Sequence, residues 1–445
     1  MKSKKIFILG MARSGYAAAK LLAKDNQVIV TDQKEQEASL VEELKNMGVE
    51  VVITQDPGSL LNNTYDYMIK NPGIKYNHPA VEKARELNIK VINEMEVAYF
   101  YLNKKAKVIG ITGSNGKTTT TTLIYNMLKK EHKNTFLGGN IGIPFSQFVL
   151  DVKEGDYVVL EISDHQLCDM DEFKTNVSVL TNIYPVHLDF HDSFERYKKT
   201  KKKIFAHHTP TELAIINQDN EEAMNLTRDI PSKKEFFSKG KKTDAYLKDN
   251  AIYYRDEKII ECKEILLQGE HNYENIMAAI LAVKEYEVSN KTIKSVLKTF
   301  KGVEHRLEYV TTINKVEYYN DSKATNTEST KIALKSFEKD TYLLLGGLDR
   351  GHSFEDLTPC MNHVVYVACY GETKNRIKEY CSKLNIVCEV FETLKEATQS
   401  CMEKARENSV VLLSPACASW DQYACFEDRG DEFKRVVLEG KHHEL

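Results

Sequence analysis

The sequence lacks a large excess of charge of either sign. Its 445 residues contain 61 lysines and arginines and 65 aspartates and glutamates, which gives a formal net charge of −4 at pH 7. Proteins that bind nucleic acid non-specifically need a basic surface to neutralise phosphates. The charge balance therefore argues against this class, and we expect no nucleic-acid partner.

Long apolar runs are also missing. No stretch approaches the roughly 20 apolar residues that cross a bilayer, and the run at residues 6–9 is too short for a signal peptide. The nine cysteines are scattered without a CxxC pair, as in proteins of a reducing compartment. The sequence thus predicts a cytoplasmic protein with no membrane span.

What remains is the composition of an ordinary globular enzyme, with 42% hydrophobic and 28% charged residues. The chain is too long for one hydrophobic core. Alternating strand and helix patterns predict an α/β fold with mainly parallel sheets. We expect a Rossmann-like domain at residues 1–98, a central P-loop ATPase-like domain at 99–301 and a second Rossmann-like domain at 302–445.

The stretch at residues 107–130 is the most informative. A predicted buried strand at 107–112 leads through Gly113-Ser-Asn-Gly116 into a predicted helix at 118–130. Backbone N–H groups of a glycine loop at a helix N-terminus favour a phosphate. Lys117 would reach the outer phosphates and the Thr118 hydroxyl would bind Mg²⁺. This shortened Walker motif, with Ile111 in place of the first glycine, predicts an ATP site.

The first βα turn, at residues 10–15, resembles a dinucleotide fingerprint, but Ala12 replaces the second glycine. Asp32 ends the second predicted strand, where an acidic residue commonly binds a ribose hydroxyl. One interpretation is a nicotinamide site. The others are a site for a UDP-like substrate handle, with residues 71–73 at the same edge, and a purely structural turn.

Polar side chains follow several other predicted strands. Glu161 ends a hydrophobic strand downstream of the phosphate loop, which is the expected place for a Mg²⁺ ligand. His187 follows the next strand, at the edge where α/β sheets bind ligands. Ser193 could cap a helix with a lysine run that composition alone assigns to a solvated surface. Asn272 could cap a further helix.

The C-terminal third carries four polar clusters beside its predicted strands. They are residues 305–306, 320–326, 346–350 and 414–422. Placed after strands of a parallel sheet, they predict another binding edge.

Together these motifs resemble those of the ATP-dependent Mur amide ligases. The resemblance rests on the phosphate loop, Glu161, His187, and residues 269–275 and 305–306. Residues 320–326 (NDSKATN) and 413–422 (LSPACASWDQ) resemble the members that add D-glutamate to UDP-N-acetylmuramoyl-L-alanine. The family resemblance covers all three predicted domains. It implies an ATP-dependent ligation through an acyl phosphate in peptidoglycan precursor synthesis.

The resemblance also implies a role for each matching residue. ATP would be bound by Gly113, Ser114, Asn115, Gly116, Lys117, Thr118, Thr119, Asn272, Asn275, His305, Arg306 and Asp321. The UDP substrate would be bound by Arg13, Ser14, Asp32, Lys34, Asn71, Gly73 and Asn140, and D-glutamate by His187, Lys323, Thr325, Arg350, Ser419 and Phe426. The catalytic set would be Lys117, Glu161, His187, Lys201 and Lys323.

The implied cofactors are ATP and two Mg²⁺ ions. The implied ligands of the Mg²⁺ ions are Thr118, Glu161, His187 and Lys201. The family's lysine at the position of Lys201 is carbamylated, which turns a cation into a carboxylate-like ligand. Lys202 is the neighbouring alternative. The implied partners are small-molecule substrates only, for a monomeric enzyme.

Two departures and three alternatives accompany this interpretation. Arg350 stands where many members have lysine, and Asp164 and His165 stand where the family usually has serine and an aromatic residue. The alternatives are a sister ligase with another acceptor, a dehydrogenase that uses the N-terminal fold, and a nucleotide-dependent switch.

Overall fold

A computed structural model describes residues 1–186, 188–267 and 269–442 of the chain. The chain divides into two units, Met1–Lys263 with Tyr273–Val296, and Glu264–Asn272 with Leu297–Leu445. No helix in the described ranges is long and apolar enough to cross a bilayer.

The first sheet, in the first unit, is entirely parallel. Its elements are β1 (Lys5–Leu9), α1 (Arg13–Ala23), β2 (Gln27–Asp32), α2 (Ala38–Asn46), β3 (Glu50–Ile53), β4 (Tyr67–Lys70), α3 (Pro79–Glu86), β5 (Lys90–Ile92) and α4 (Glu94–Tyr101). The strand order is β3-β2-β1-β4-β5. The predicted Rossmann-like alternation is confirmed, and β1, apolar and buried, lies at the centre of the sheet.

The second sheet follows in the same unit. Its elements are β6 (Lys107–Thr112), α5 (Lys117–Glu131), β7 (Thr135–Gly139), α6 (Phe145–Phe148), β8 (Tyr157–Glu161), α7 (Asp164–Cys168), β9 (Val177–Leu180), α8 (Leu188–His191), α9 (Phe194–Lys202), β10 (Leu213–Asn217), α10 (Glu221–Leu226), β11 (Lys233–Ser238), β12 (Ala245–Lys248), β13 (Ala251–Tyr254), β14 (Glu257–Glu261), α11 (Glu270–Lys284) and α12 (Asn290–Leu297).

The strand order of this sheet is β14-β13-β12-β11-β10-β9-β6-β8-β7. Strands β6 to β12 pair in parallel, and β12, β13 and β14 form an antiparallel meander at one edge. Because β6 lies between β8 and β9, the residues after these three strands meet at one edge of the sheet.

A continuous apolar core joins the two sheets of the first unit. Phe145 and Phe148 of α6 belong to the same buried cluster as side chains of α1 and α4. Polar contacts cross the same boundary. The buried Glu96 carboxylate accepts hydrogen bonds from the backbone N–H groups of Glu172 (2.6 Å) and Phe173 (3.1 Å). These contacts join α4 to the segment between α7 and β9.

The second unit contains the third sheet. Its elements are β15 (Glu308–Ile313), β16 (Val316–Asn320), α13 (Thr327–Leu334), β17 (Thr341–Gly346), β18 (Val364–Tyr370), α14 (Lys374–Lys383), β19 (Val387–Val390), α15 (Leu394–Lys404), β20 (Val410–Leu413) and α16 (Phe426–His442). The order is β15-β16-β20-β17-β18-β19, parallel except for the β15/β16 hairpin. Short 3₁₀ helices lie at Pro57–Leu60, Val149–Asp151, Lys203–Phe205, Cys262–Glu264 and Glu355–Cys360.

One predicted helix boundary is wrong. Helix α11 begins at Glu270, so Asn272 lies inside its first turn and does not cap it. Gly269, with φ +97°, makes the turn that precedes the helix, a conformation that glycine adopts without strain. The acidic Glu270 then suits the positive end of the helix dipole.

Candidate active site

The phosphate loop lies between β6 and α5, as predicted. Gly116 has φ +79°, and a Cβ atom there would lie 2.1 Å from Oδ1 of Asn275. At Gly113, with φ +148°, a Cβ atom would lie 2.0 Å from Oγ1 of Thr181. Only glycine fits at either position, because a Cβ atom would collide with these side chains and the backbone has a positive φ.

The side chain of Lys117 folds back over this loop. Its Nζ atom donates to the backbone carbonyls of Gly113 (2.8 Å) and Ser114 (2.9 Å). The ammonium group therefore lies beside the loop at the N-terminus of the 15-residue helix α5. Thr118 and Thr119 follow in the first turn and are buried. A positive charge, a helix N-terminus and a hydroxyl group together form an anion site.

Other loop residues predicted to contact ATP also hold the loop in place. The backbone N–H of Asn115 donates to Oδ1 of Asn182 at 2.9 Å. The hydroxyl of Ser114 lies 2.7 Å from that of Tyr197 on α9. Asn275, on α11, accepts from the hydroxyl of Thr120 at 3.3 Å. The predicted ATP-binding residues at 113–119 and Asn275 thus come together around one loop.

Glu161 ends β8 at the same edge, and its side chain is buried. Oε1 accepts a hydrogen bond from Nδ2 of Asn140 at 2.7 Å. Oε2 is buried and has no hydrogen-bond partner among the described residues. A buried carboxylate oxygen without a partner is costly, and hard divalent cations prefer such oxygens. Glu161 and the Thr118 hydroxyl therefore fit a Mg²⁺ ion.

The structure distinguishes Lys201 from Lys202. Lys201 is fully buried, and its Nζ donates to Oγ1 of Thr112 at 3.0 Å. Burial, helped by the nearby Lys117 ammonium, lowers the pKa of Lys201 to about 7. Lys202 is partly exposed and pairs with Asp229 at 2.6 Å. Helix α9 begins after its cap Ser193, as predicted. In this helix Lys201 points into the site and Lys202 points towards its surface.

Asp164 lies close to Lys201 and was not predicted as a site residue. Its Oδ1 lies 3.5 Å from Nζ of Lys201, and its Oδ2 lies 2.7 Å from Nε2 of His191. All three side chains are buried. His191 was also missed, since nothing in the sequence places it beside Asp164. The predicted ligand His187 lies outside the described residues.

Apart from Asn140, which follows β7, the predicted UDP-binding residues lie at the carboxyl edge of the first sheet. The Ser14 hydroxyl donates to Oδ1 of Asn71 at 2.8 Å. The Arg13 guanidinium donates to the backbone carbonyl of Gly142 at 2.5 Å, next to the loop that carries Asn140. Arg13 thus links the first sheet to the edge of the second. Gly73, which was also predicted to bind the UDP substrate, borders open space, because a Cβ atom at this position would meet nothing within 4 Å.

Asp32, at the end of β2, ties the first βα turn together. Its Oδ2 accepts from the backbone N–H of Met11 at 2.8 Å, and its Oδ1 from that of Lys34 at 3.0 Å. The carboxylate is thus fixed at the edge where Ser14 and Asn71 lie.

In the second unit, Asp321 follows β16 and is buried. Its carboxylate accepts from the Ser414 hydroxyl (2.8 Å) and from the backbone N–H of Leu307 (3.1 Å). Burial raises the pKa of Asp321 to about 7. His305, next to Arg306, is also buried, and its Nδ1 lies 3.1 Å from Nδ2 of Asn320.

The predicted D-glutamate residues of this unit lie near aromatic rings. Nζ of Lys323 lies 5.3 Å from the ring centre of Phe426, and the Arg350 guanidinium lies 4.8 Å from that of Trp420. Ser419 is buried next to this tryptophan, and the backbone N–H of Thr325 donates to the carbonyl of Lys323 at 2.9 Å. Two cations thus lie on the loops that follow β16 and β17.

Arg429 is a residue that the sequence did not indicate. It is fully buried, and it donates to Oγ of Ser322 (3.0 Å) and to the backbone carbonyls of Ser322 (2.8 Å) and Cys417 (3.0 Å). It therefore joins two of the predicted polar clusters. Of this stretch, the sequence analysis singled out Phe426 alone.

Three family models match the chain. They are the Mur ligase MurD-like N-terminal domain at residues 4–93, the Mur ligase middle domain at 111–283 and the Mur ligase glutamate ligase domain at 305–417. These matches follow one another in the order of the three sheets.

Relatives and solved structures agree with this assignment. The UDP-N-acetylmuramoylalanine–D-glutamate ligases of Bacillus cereus (strain G9842) and Bacillus subtilis (strain 168) are each 42% identical to the chain, over 98% of both chains. The crystal structure of the UDP-N-acetylmuramate–alanine ligase MurC from Thermotoga maritima has a similar fold, with a TM-score of 0.63 and 20% identity over 99% of this chain and 100% of that one. The chain therefore belongs to the Mur ligase family, as its motifs predicted.

Proposed function

We propose that this chain is an ATP-dependent amide ligase that joins D-glutamate to UDP-N-acetylmuramoyl-L-alanine in peptidoglycan precursor synthesis. The observation that carries the proposal is the 42% identity to D-glutamate ligases over 98% of both chains. The products are the amide, ADP and phosphate.

The reaction proceeds in two steps. An oxygen of the alanyl carboxylate attacks the γ-phosphorus of ATP, ADP leaves, and an acyl phosphate forms. The uncharged amine of D-glutamate then attacks the carbonyl carbon, a C–N bond forms, the C–O bond breaks with release of phosphate, and the nitrogen loses a proton. Such chemistry requires positioning and charge neutralisation more than covalent help from the protein.

The contacts of the phosphate loop support the first step. Lys117 holds positive charge beside the loop carbonyls of Gly113 and Ser114, where it can neutralise charge that develops on the transferred phosphoryl group. The loop backbone binds the β- and γ-phosphates. Asn275, packed against Gly116, and Asn272 serve the nucleotide, as do His305, Arg306 and Asp321.

Two Mg²⁺ ions are part of the proposal. Thr118 and Glu161 would hold the first, which is supported by the Oε2 atom without a partner. The second is assigned to His187 and to the position of Lys201. Bound Mg²⁺ neutralises phosphate charge during the transfer.

The UDP-linked substrate is assigned mainly to the N-terminal domain and D-glutamate mainly to the C-terminal domain, each with one residue of the central domain. The UDP-linked substrate binds Arg13, Ser14, Asp32, Lys34, Asn71 and Gly73, with Asn140 at its muramoyl end. D-glutamate binds His187, Lys323, Thr325, Arg350, Ser419 and Phe426. Cationic Arg350 suits a carboxylate of the incoming amino acid. The three substrate roles follow the domains at residues 1–98, 99–301 and 302–445.

The carbamate that the family resemblance implies on Lys201 has one feature for it and one against it. Burial lowers the pKa of Lys201 to about 7, so a neutral amine that can react with CO₂ is accessible near neutral pH. The Asp164 carboxylate, 3.5 Å from Nζ, favours the ammonium form instead. The protonation state of Lys201 therefore depends on Asp164.

A cytoplasmic location and a monomeric state remain predictions of the sequence.

Phosphate release with ATP, Mg²⁺, UDP-N-acetylmuramoyl-L-alanine and either D- or L-glutamate tests the proposal. We expect release that requires the D isomer, with a matching mass gain on the UDP product. Release with another acceptor but not with D-glutamate would assign the chain to a sister reaction. ATP turnover without any new amide would refute the ligase.

A further inference from the structure

Arg429 is a fully buried arginine near the start of α16, the last helix of the second unit. Its guanidinium donates to Oγ of Ser322 at 3.0 Å and to the backbone carbonyls of Ser322 (2.8 Å) and Cys417 (3.0 Å). Because arginine presents its donors in a rigid plane, one side chain can hold several acceptors in a fixed arrangement. The three hydrogen bonds therefore join the loop after β16 to the loop after β20.

Two further segments pack against this group. The hydroxyl of Ser322, which accepts from Arg429, donates to the backbone carbonyl of Phe426 at 2.7 Å. On another side, a Cβ atom at Gly347 would lie 3.1 Å from Nη1 of Arg429. Gly347 follows β17 with φ +143°, so the loop after β17 passes close to the guanidinium at a residue without a side chain. One buried side chain is thus surrounded by three loops and the start of α16.

Each of these four segments carries a residue that the proposed function assigns to D-glutamate. The loop after β16 carries Lys323 and Thr325, the loop after β17 carries Arg350, the loop after β20 carries Ser419, and α16 begins with Phe426. These residues are far apart in the chain, so their relative positions depend on contacts between the segments. A misplacement of about 1 Å in a binding site can lower the rate about 100-fold.

The next residue of α16 faces the residues assigned to the nucleotide. A Cβ atom at Gly430 would lie 2.1 Å from Nδ1 of His305 and 3.0 Å from Nδ2 of Asn320. Two consecutive residues of one helix therefore contact two different sets of predicted site residues. Arg429 contacts the loops assigned to D-glutamate, and Gly430 contacts His305, which is assigned to ATP.

We propose that Arg429 is a positioning residue for the incoming amino acid. It holds the loops after β16, β17 and β20 and the start of α16 in the arrangement that binds D-glutamate, and it acts through these segments. This deepens the proposed function, on which it rests, because it names the buried group that sets the geometry of the D-glutamate site.

Steady-state kinetics of the full-length protein test this inference. Arg429→Met removes the guanidinium and keeps an unbranched side chain, so the KM for D-glutamate should rise by up to about 100-fold. The KM values for ATP and for the UDP substrate should stay at the wild-type values. Ser322→Ala removes only the bridging hydroxyl, so it should raise the same KM by a smaller factor, and it provides the test if Arg429→Met does not fold. Arg435→Ala, at an exposed arginine of the same helix, is the matched control and should behave as wild type.

Gly430→Ala separates positioning from a general loss of stability. The added methyl group crowds His305, so this variant should raise the KM for ATP and leave the KM for D-glutamate unchanged. Equal rises of all three KM values in Arg429→Met and Gly430→Ala would overturn the inference in favour of a general structural role. An unchanged KM for D-glutamate in Ser322→Ala and in folded Arg429→Met would also overturn it. Failure of the wild-type protein to add D-glutamate would instead refute the proposed function.

Discussion

Nδ2 of Asn140 donates a 2.7 Å hydrogen bond to Oε1 of Glu161, while Oε2 of the same carboxylate has no hydrogen-bond partner in the described part of the chain. Asn140 follows β7 and Glu161 ends β8, so the two residues meet because their strands are neighbours. The amide orients the carboxylate and leaves one oxygen for a cation. Asn140 is thus in place to orient Glu161 for the proposed Mg²⁺ ion, and it is also a candidate substrate contact.

Asn140→Ala should weaken Mg²⁺ binding. Loss of a group that orients a metal ligand typically lowers metal affinity about 10- to 100-fold. We expect the Mg²⁺ concentration for half-maximal rate to rise by this factor at saturating UDP substrate. Asn63→Ala, at an exposed asparagine, is the control. An unchanged Mg²⁺ requirement in Asn140→Ala would contradict the role of this hydrogen bond.

Lys117→Met should slow phosphoryl transfer. The substitution removes the ammonium group beside the loop but keeps an unbranched side chain in α5. Loss of one preorganised electrostatic group typically costs about 10²- to 10³-fold in kcat. Single-turnover ADP formation measures this step. Lys129→Met, on the exposed end of the same helix, should be as fast as wild type. Equal rates in the two variants would exclude Lys117 from the chemistry.

Arg350→Ala should raise the KM for D-glutamate. A hydrogen bond to a charged group contributes about 1.5–3 kcal/mol, which corresponds to a rise of about 10- to 100-fold. Arg350→Lys should keep most of the affinity because it keeps the charge. The KM values for ATP and the UDP substrate should not change. The exposed Arg406→Ala serves as the control. A change in the KM for ATP alone would show that Arg350 contributes to nucleotide binding and not to D-glutamate binding.

Glu94 should make stability depend on pH. Burial raises its pKa to about 7, and it accepts hydrogen bonds from the backbone N–H and hydroxyl of Ser146. Since the folded pKa is above the unfolded value of 4.5, its stabilising contribution is complete below pH 4.5. That contribution is lost as the pH rises through about 7.

Thermal unfolding of Glu94→Gln from pH 5 to 8 measures this effect. As the pH rises, the free energy of unfolding of the variant should increase relative to that of wild type, by roughly 1.4 kcal/mol for each unit of pKa shift. Glu82→Gln, at an exposed glutamate on α3, should follow the wild-type profile. Parallel profiles for wild type and Glu94→Gln would show that the carboxylate is not the titrating group.

Local features of the site were predictable from the sequence. The phosphate loop depends on a strand, four turn residues and a helix that are contiguous in the chain, and its strand and helix lie where predicted. Lys201 was separated from the exposed lysines only by the family motif, and the structure places it inside. Composition alone had indicated a solvated helix surface.

Features that depend on tertiary packing were not predictable in this way. Asp164 and His191 are 27 residues apart, and they meet only because the segments after β8 and β9 converge at one edge of the sheet. No sequence motif included Arg429, which binds Ser322, 107 residues earlier in the chain. The start of α11 was misplaced because Asn272 is a good capping residue, whereas the backbone turns earlier, at Gly269.

The central claim is ligation through an acyl phosphate. It is tested most directly with UDP-N-acetylmuramoyl-L-alanine labelled with ¹⁸O in both oxygens of the alanyl carboxylate. With ATP, Mg²⁺ and D-glutamate, we expect one ¹⁸O atom in the released phosphate and one in the new amide, both read by mass spectrometry. Phosphate without ¹⁸O would mean that water, not the alanyl carboxylate, attacks ATP, and would contradict the account.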